Sequence, residues 1–305
     1  MRIVGIDENG LGPRLGPLVA TAIILELDAN EYERARLRRI AQRVGIDDSK
    51  QVAGFGNMAI AEGLTLAVLE QLCGRIPADA DELLSLLALE GLEPLRARCP
   101  ERSVAQCWSE RLALPAFEGD VVAGRAALAR LAKHGVRISR ARSVVHCASA
   151  IRADLARLGS RTSLDLSLFE RLVLDAHAAI GGELEAVLGM VGGIRDYPSY
   201  FDHLRDHRFE ILRQDPKVAA YRCHGLGTLS FEVDADARHL PVAIASMLGK
   251  YVRELAMERQ NRFYATHDAG LPRPSGYHDP VTRRFVEQSR LLRKRLGIVD
   301  SCFER

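Results

Sequence analysis

The chain has 305 residues, of which 47% are hydrophobic and 27% charged, and its formal net charge is +2. That composition is globular, with length for one large domain or two modest ones, and it excludes a uniform polycation. Any nucleic-acid surface must therefore come from local clustering of the 42 Lys and Arg residues.

In chain order, Arg2-Ile3-Val4-Gly5-Ile6 reads as a buried strand. A Gly/Pro-rich turn from Asn9 to Pro17 follows, and Leu18 to Leu25 is a second apolar, partly β-branched run, so a hairpin opens the sheet. Residues 31–44 carry many arginines and predict an exposed helix, and 57–73 predict an apolar one. Between about 74 and 132 the composition shifts to Leu, Ala and Glu with helical period, which predicts a helical insertion without catalytic residue types. Val136-Arg137-Ile138 restarts the sheet. Helices around Ser149–Leu158 and Leu164–Arg171 lead into a short strand, Leu172-Val173-Leu174-Asp175. Phe209–Leu212 and Ala219–Arg222 are further strands, Ala237–Phe263 is a long helix with Pro241 tolerated in its first turn, and 282–296 is a basic amphipathic helix.

No apolar run reaches the ~18 residues of a membrane helix. The N-terminus, Met1 to Ile6, lacks the sections of a signal peptide, so a cytoplasmic location is expected. Six cysteines (Cys73, Cys99, Cys107, Cys147, Cys223, Cys302) are scattered without a C-x-x-C pair and are expected to be reduced packing residues.

Chemistry concentrates at strand ends. Asp7-Glu8 closes the first strand and Asp175 the short run after 172. Carboxylates on such rigid elements can gather at a sheet rim, where a hard divalent cation takes oxygen ligands. On the pair alone, a solvated strand terminus is the commoner reading. The turn Gly10-Leu11-Gly12-Pro13-Arg14-Leu15-Gly16-Pro17 also invites a dinucleotide-binding reading. That motif must open a helix, whereas here two prolines interrupt, a strand follows, and the acidic pair would repel phosphate. Histidines offer no rival site: His203 and His207 are spaced i, i+4 without the glutamate of a zinc-protease motif.

Taken together, the segments point further. Gly5-Ile6-Asp7-Glu8-Asn9-Gly10-Leu11-Gly12-Pro13-Arg14-Leu15-Gly16-Pro17 closely resembles the opening signature of ribonuclease HII, G-I-D-E-A-G-R-G-P-L-A-G-P. Gly45-Ile46-Asp47-Asp48-Ser49-Lys50 is similar to its D-S-K segment, and Leu172–Asp175 to the strand bearing its third acidic ligand. Ala235-Asp236-Ala237-Arg238 through Ser246 to Glu254 resembles the family's A-D-A-K…A-S-I-L-A-K-V-T-R-D helix. Pro274-Ser275-Gly276-Tyr277 through Arg283 resembles its G-S-G-Y-P-S-D-P-R-T stretch. The resemblance is to the type 2 ribonuclease H family, archaeal-like with some type 3 features.

That resemblance implies an α/β, ribonuclease H-like fold: a mixed central sheet flanked by helices, with the helical insertion and a small C-terminal helical part. It implies a catalytic domain over 1–265 and a C-terminal segment over 266–305. The implied activity is hydrolysis of the RNA strand of RNA–DNA hybrids with Mg²⁺ or Mn²⁺ as two-ion cofactor, by a monomeric chain with no membrane partner. The alternative is a catalytically weak hybrid-binding protein that keeps the fold. The implied metal ligands are Asp7, Glu8, Asp175 and Glu254, the last standing where the family normally has Asp. Should Asp175 not serve, Asp196, Asp234 or Asp236 would be next. Gly10, Leu11, Gly12, Lys50, Ser246, Lys250 and Tyr277 are implied substrate contacts, supported by the basic tail (Arg283, Arg284, Arg290, Arg293, Lys294, Arg295). Ser246, Lys250 and Glu254, at i, i+4 and i+8, fall on one helix face. Leu11 replaces the arginine of the family's Gly-Arg-Gly clamp, which implies a preference for runs of ribonucleotides over isolated ones.

Overall fold

The computed structural model describes residues 1–28, 32–43, 45–46, 55 and 57–305, so Lys50 and the segment 47–50 lie outside the described residues. Strands β1 (Arg2–Asn9) and β2 (Leu18–Leu27) form the expected antiparallel hairpin, in register from Arg2 opposite Glu26 to Asn9 opposite Val19. The chain then runs through α1 (Arg34–Arg43), α2 (Ala59–Cys73), α3 (Ala80–Leu87), α4 (Leu92–Ala97), α5 (Val104–Trp108) and α6 (Val121–Lys133). It re-enters the sheet as β3 (Val136–His146), antiparallel to β2. Helices α7 (Ala148–Leu158) and α8 (Arg161–Ile180) precede β4 (Leu184–Gly189), β5 (Phe209–Gln214), β6 (Val218–Cys223) and β7 (Gly227–Glu232). The short α9 (Ala235–Arg238), the long α10 (Leu240–His267), α11 (Pro280–Gln288), α12 (Arg290–Leu296) and α13 (Asp300–Phe303) complete the chain.

The seven strands make one mixed sheet in the order β3-β2-β1-β4-β7-β6-β5, with β4 parallel to β1 and to β7. Helices cover both faces, and the period-2 alternation of β2 shows how. Val19, Ile23 and Leu25 face a core shared with α2 and α10, while Leu18, Ala20, Ala22 and Ile24 face a second core shared with α8. A run buried on both faces loses its polar alternation, which is why β2 reads as continuously apolar. Residues 266–305 close a third cluster, in which Phe285, Leu292, Ile298 and Phe303 pack on Leu15, Met257 and Tyr264. The expected mixed sheet flanked by helices is the architecture observed.

Three expectations need correction. Leu172–Asp175 is not a strand: it lies inside α8, whose inward face carries Leu164, Leu168, Leu172 and Ala176 at helical spacing. A four-residue apolar run has no period of its own to separate strand from helix. The basic tail is two helices rather than one, broken at Ser289, whose hydroxyl donates to the Phe285 carbonyl at 2.6 Å and competes with the backbone ladder. Arg293 is buried there, bonding the Val286 carbonyl at 2.9 Å and stacking 3.8 Å from the Phe303 ring, so it is a packing residue rather than an exposed phosphate contact. Strands β4 and β7, which no clear sequence pattern marks, form the centre of the sheet.

Candidate active site

The site is built where β1 ends. Asp7 lies opposite Thr21 of β2 on one side, and on the other the parallel pairing of Ile6 with Leu188 sets Gly189 of β4 beside it. Helix α10 crosses beneath, and its approach is very close: a methyl group on Gly249 would come to 2.5 Å from Asn9 Nδ2. That approach brings the buried Ser246 hydroxyl to the Asp7 carboxylate, to which it donates a hydrogen bond. One turn on, Lys250 adds a positive charge felt by Asp7.

These groups open on a cavity of about 430 Å³ lined by Asp7, Glu8, Gly189, Asp236, Ser246 and Lys250. Desolvation pushes the Asp7 carboxyl up to about 8, against the pull of Ser246; Glu8 and Asp236 add to the rise and Lys250 opposes it. Glu8 is also raised by burial, countered by the Leu11 N–H, which donates to its Oε2 at 3.2 Å, and by the positive charge of Arg305. Beneath them lies Asp165 of α8, fully buried, with both carboxylate oxygens unpartnered; burial and the charges of Glu8 and Asp7 push its carboxyl up. Several carboxylates are thus crowded together at the expense of their charged forms.

Two expected ligands stand elsewhere. Asp175 accepts both Arg140 Nε at 2.9 Å and Arg140 Nη2 at 2.7 Å, and it does not line the cavity. Arg140 sits opposite Ile24, three positions along β2 from Thr21. Glu254 is buried but accepts from Arg253 Nη1 at 2.5 Å and is likewise absent from the cavity. At 1.5 Å per residue it lies about 12 Å along the helix axis from Ser246, so a shared face does not mean a shared site. The position next to Asp7 on the sheet is Gly189. Its backbone has no positive φ that would demand glycine, and a methyl group there would stand 3.0 Å from Asp7 Oδ1.

The glycine loop behaves differently at each position. Gly10 has φ of 101° and would set a methyl group 2.9 Å from the Pro17 carbonyl, so only glycine suits it. Leu11 packs against the α8-side core, and Gly12 is exposed with open space around it. Behind the loop, Arg305 Nε donates to the Gly16 carbonyl at 2.7 Å and its Nη1 to the Gly10 carbonyl. Arg253 Nη2 donates to the Ser275 carbonyl at 3.2 Å, and the guanidinium lies 4.7 Å over the exposed Tyr277 ring. Sequence reasoning missed Arg305, Arg253, Asp165 and the significance of Gly189. Asp236 stood in the Ala235–Arg238 segment but was ranked behind Asp175.

All candidate donors at the cavity are carboxylate oxygens, the set that suits a hard divalent cation. Among the described residues, no three His, Cys, Asp or Glu side chains already stand close enough together to hold a metal. The donor set therefore fits one cation carried by one or two carboxylates and completed by water, and it does not fit an assembled four-carboxylate centre.

No protein-family profile matches the chain. Locally it is similar to the ribonuclease HII of Thermococcus sibiricus, 40% identical over 57 residues, which are 19% of this chain and 23% of that protein. It is also similar to the ribonuclease HII of Syntrophotalea carbinolica, 26% identical over 132 residues, 38% of this chain and 59% of that protein. The chain thus spans less than two thirds of either relative's length. A solved structure of ribonuclease H2 from Pyrococcus horikoshii aligns with a TM-score of 0.48 at 15% identity, over 99% of this chain and 92% of that one.

Proposed function

We propose that this chain belongs to the type 2 ribonuclease H family, to whose members it is locally similar, and that it hydrolyses the RNA strand of RNA–DNA hybrids at the cavity between β1, β4 and α10. The observation that carries the reading is the meeting of Asp7 and Glu8, from the opening segment, with Asp236, Ser246 and Lys250, from a segment more than two hundred residues later, around one cavity. One or two carboxylates among Asp7, Glu8 and Asp236 are proposed to hold Mg²⁺ or Mn²⁺, with water completing the shell. Bound there, such an ion supplies polarisation of the scissile phosphate and a water of lowered pKa.

The remaining work falls to the chain itself. The Ser246 hydroxyl fixes the orientation of the Asp7 carboxylate. The Lys250 ammonium offsets carboxylate charge and adds positive charge at the cavity where a phosphate would sit. The Leu11 N–H is bonded to Glu8, so reading of the 2′-hydroxyls that distinguish RNA from DNA is assigned to the other backbone N–H groups of the glycine loop. Because Leu11 packs inward, no guanidinium extends from the clamp position. A long hybrid, held by many phosphate contacts, is therefore the preferred substrate over an isolated ribonucleotide.

Gly189 favours a second reading. It leaves the sheet position beside Asp7 without a carboxylate, so hybrid binding with slow cutting is the competing function. One experiment separates the two. A long hybrid and a DNA duplex containing one ribonucleotide are incubated with the protein in Mg²⁺ or Mn²⁺, and binding of both, and of a plain DNA duplex, is measured in parallel with chelator present. Cutting of the long hybrid supports hydrolysis. Tight hybrid binding with an intact RNA strand supports the second reading. Equal binding to hybrid and plain DNA, with no cutting, overturns both.

A further inference from the structure

The row of the sheet that carries Asp7 continues onto β7. Pairing of Ile6 with Leu188 and of Gly189 with Glu232 puts Asp7, Gly189 and Glu232 side by side on three adjacent parallel strands. Leu229 and Phe231 pack in the core shared with α8, so Glu232, like Asp7, points to the α10 face of the sheet. Its contacts agree. The ring of His239, the residue before α10, lies with Nε2 at 3.0 Å from Glu232 Oε2, and Arg238 Nη2 donates to the same oxygen at 2.7 Å. A carboxylate only accepts, so His239 Nε2 is the donor. The other ring nitrogen, Nδ1, stands 3.0 Å from the Tyr32 hydroxyl, and the Tyr32 ring stacks on the imidazole with centres 5.8 Å apart at 14°. Oε1 of Glu232 accepts the Ser230 hydroxyl at 3.2 Å. Glu232 is buried, yet it lines the same cavity as Asp7, Glu8 and Asp236.

On the premise that the cavity holds a divalent cation, we propose that Glu232 is a positioning residue for that cation, accepting hydrogen bonds from its water shell across the gap that Gly189 leaves in the row. Neighbouring strands run about 4.8 Å apart, so Asp7 and Glu232 are roughly 10 Å apart at the backbone, with no side chain between them. That interval suits a hydrated ion better than a bare one. With no three candidate ligands already assembled among the described residues, water must fill most of the shell, and a hard cation keeps its waters readily. The two oxygens of Glu232 divide the work. Oε2 is fixed by Arg238 and by the Tyr32–His239 chain, while Oε1, with one neutral donor, retains lone-pair capacity for a water. Burial works against the charge of Glu232, but the His239 bond and charge, with Arg238, hold its carboxyl below the ordinary range. Sequence spacing could not show this, because the neighbour of Asp7 across Gly189 is set by the pairing of β4 with β7.

The test uses the full chain, stripped with chelator and titrated with Mn²⁺ by calorimetry in the absence of nucleic acid. Glu232→Gln, which keeps the size and removes the charge, should bind Mn²⁺ roughly tenfold more weakly than wild type. Glu232→Asp keeps the charge that faces Arg238 and His239, so it guards against misfolding; its oxygens withdraw from the gap, and it should lose roughly as much. Melting in chelator checks that each variant is folded. Adding Gly189→Asp to Glu232→Gln places a carboxylate in the gap itself and should restore wild-type affinity, which a merely structural role for Glu232 would not allow. Mn²⁺ binding that falls in Asp7→Asn but is unchanged in both Glu232 variants overturns the proposal and leaves the cation reading of the cavity standing. A loss in Glu232→Gln that Gly189→Asp does not recover also overturns it. A wild-type chain that binds no Mn²⁺ overturns both.

Discussion

At the Gly189 position the backbone is unstrained and the nearest atom to an added side chain is the Asp7 carboxylate itself. Gly189→Asp should therefore place a further oxygen donor at the cavity, and Gly189→Asn should match its size without the charge. Titration calorimetry with Mn²⁺ is expected to show roughly tenfold tighter binding for the Asp variant, about 1.4 kcal/mol. An equal gain in both variants, or none in either, would remove Gly189 from the working parts of the site.

Among the elements, α10 decides most of the site geometry, because its position against β1 sets Ser246 on Asp7. The close approach depends on Gly249. Gly249→Ala must displace either the buried Asn9 side chain and Thr21 or the helix itself, and overpacking of that kind costs about 1–3 kcal/mol. Urea unfolding of the variant should show that loss, and a change under ~0.5 kcal/mol would mean the contact is looser than described. The C-terminal helices carry a different expectation, since their arginines divide by burial. Arg283 and Arg284 are exposed, whereas Arg293 is enclosed against Phe303. Replacing Arg283 and Arg284 by Ala should weaken hybrid binding and flatten its salt dependence, by about one unit of slope for each phosphate the variant no longer neutralises. Arg293→Ala should instead lower thermal stability and leave the slope alone. Identical salt slopes for all variants would exclude this face from nucleic-acid binding.

Over the whole molecule, what the sequence made legible followed from how local each signal was. The hairpin, the acidic pair and the glycine turn are contiguous, so their spacing alone defines them, and the sheet with its flanking helices matched the expectation. Asp175 was misplaced because Leu172–Asp175 is too short to show a period, and its arginine partner lies 35 residues away in β3. Strand β4 escaped notice for a related reason: a six-residue run that contains Glu185 and Ala186 and ends in Gly189, all poor formers of sheet, leaves a faint pattern, although β4 supplies the neighbour of Asp7. Glu254 shares a helix face with Ser246, yet axial distance separates them. Cys107, Cys147 and Cys302 come from distant parts of the chain to line one cavity and left no linear trace. By the proposed function, the cavity at Asp7 acts on the RNA strand of a hybrid. The most direct measurement follows an end-labelled RNA strand in a long RNA–DNA hybrid with Mn²⁺, comparing wild type with Asp7→Asn at equal folded concentration. RNA fragments bearing 3′-hydroxyl ends are predicted from the wild type and none from Asp7→Asn; RNA cut equally by both proteins, or by neither while the hybrid binds no better than DNA, would contradict the claim.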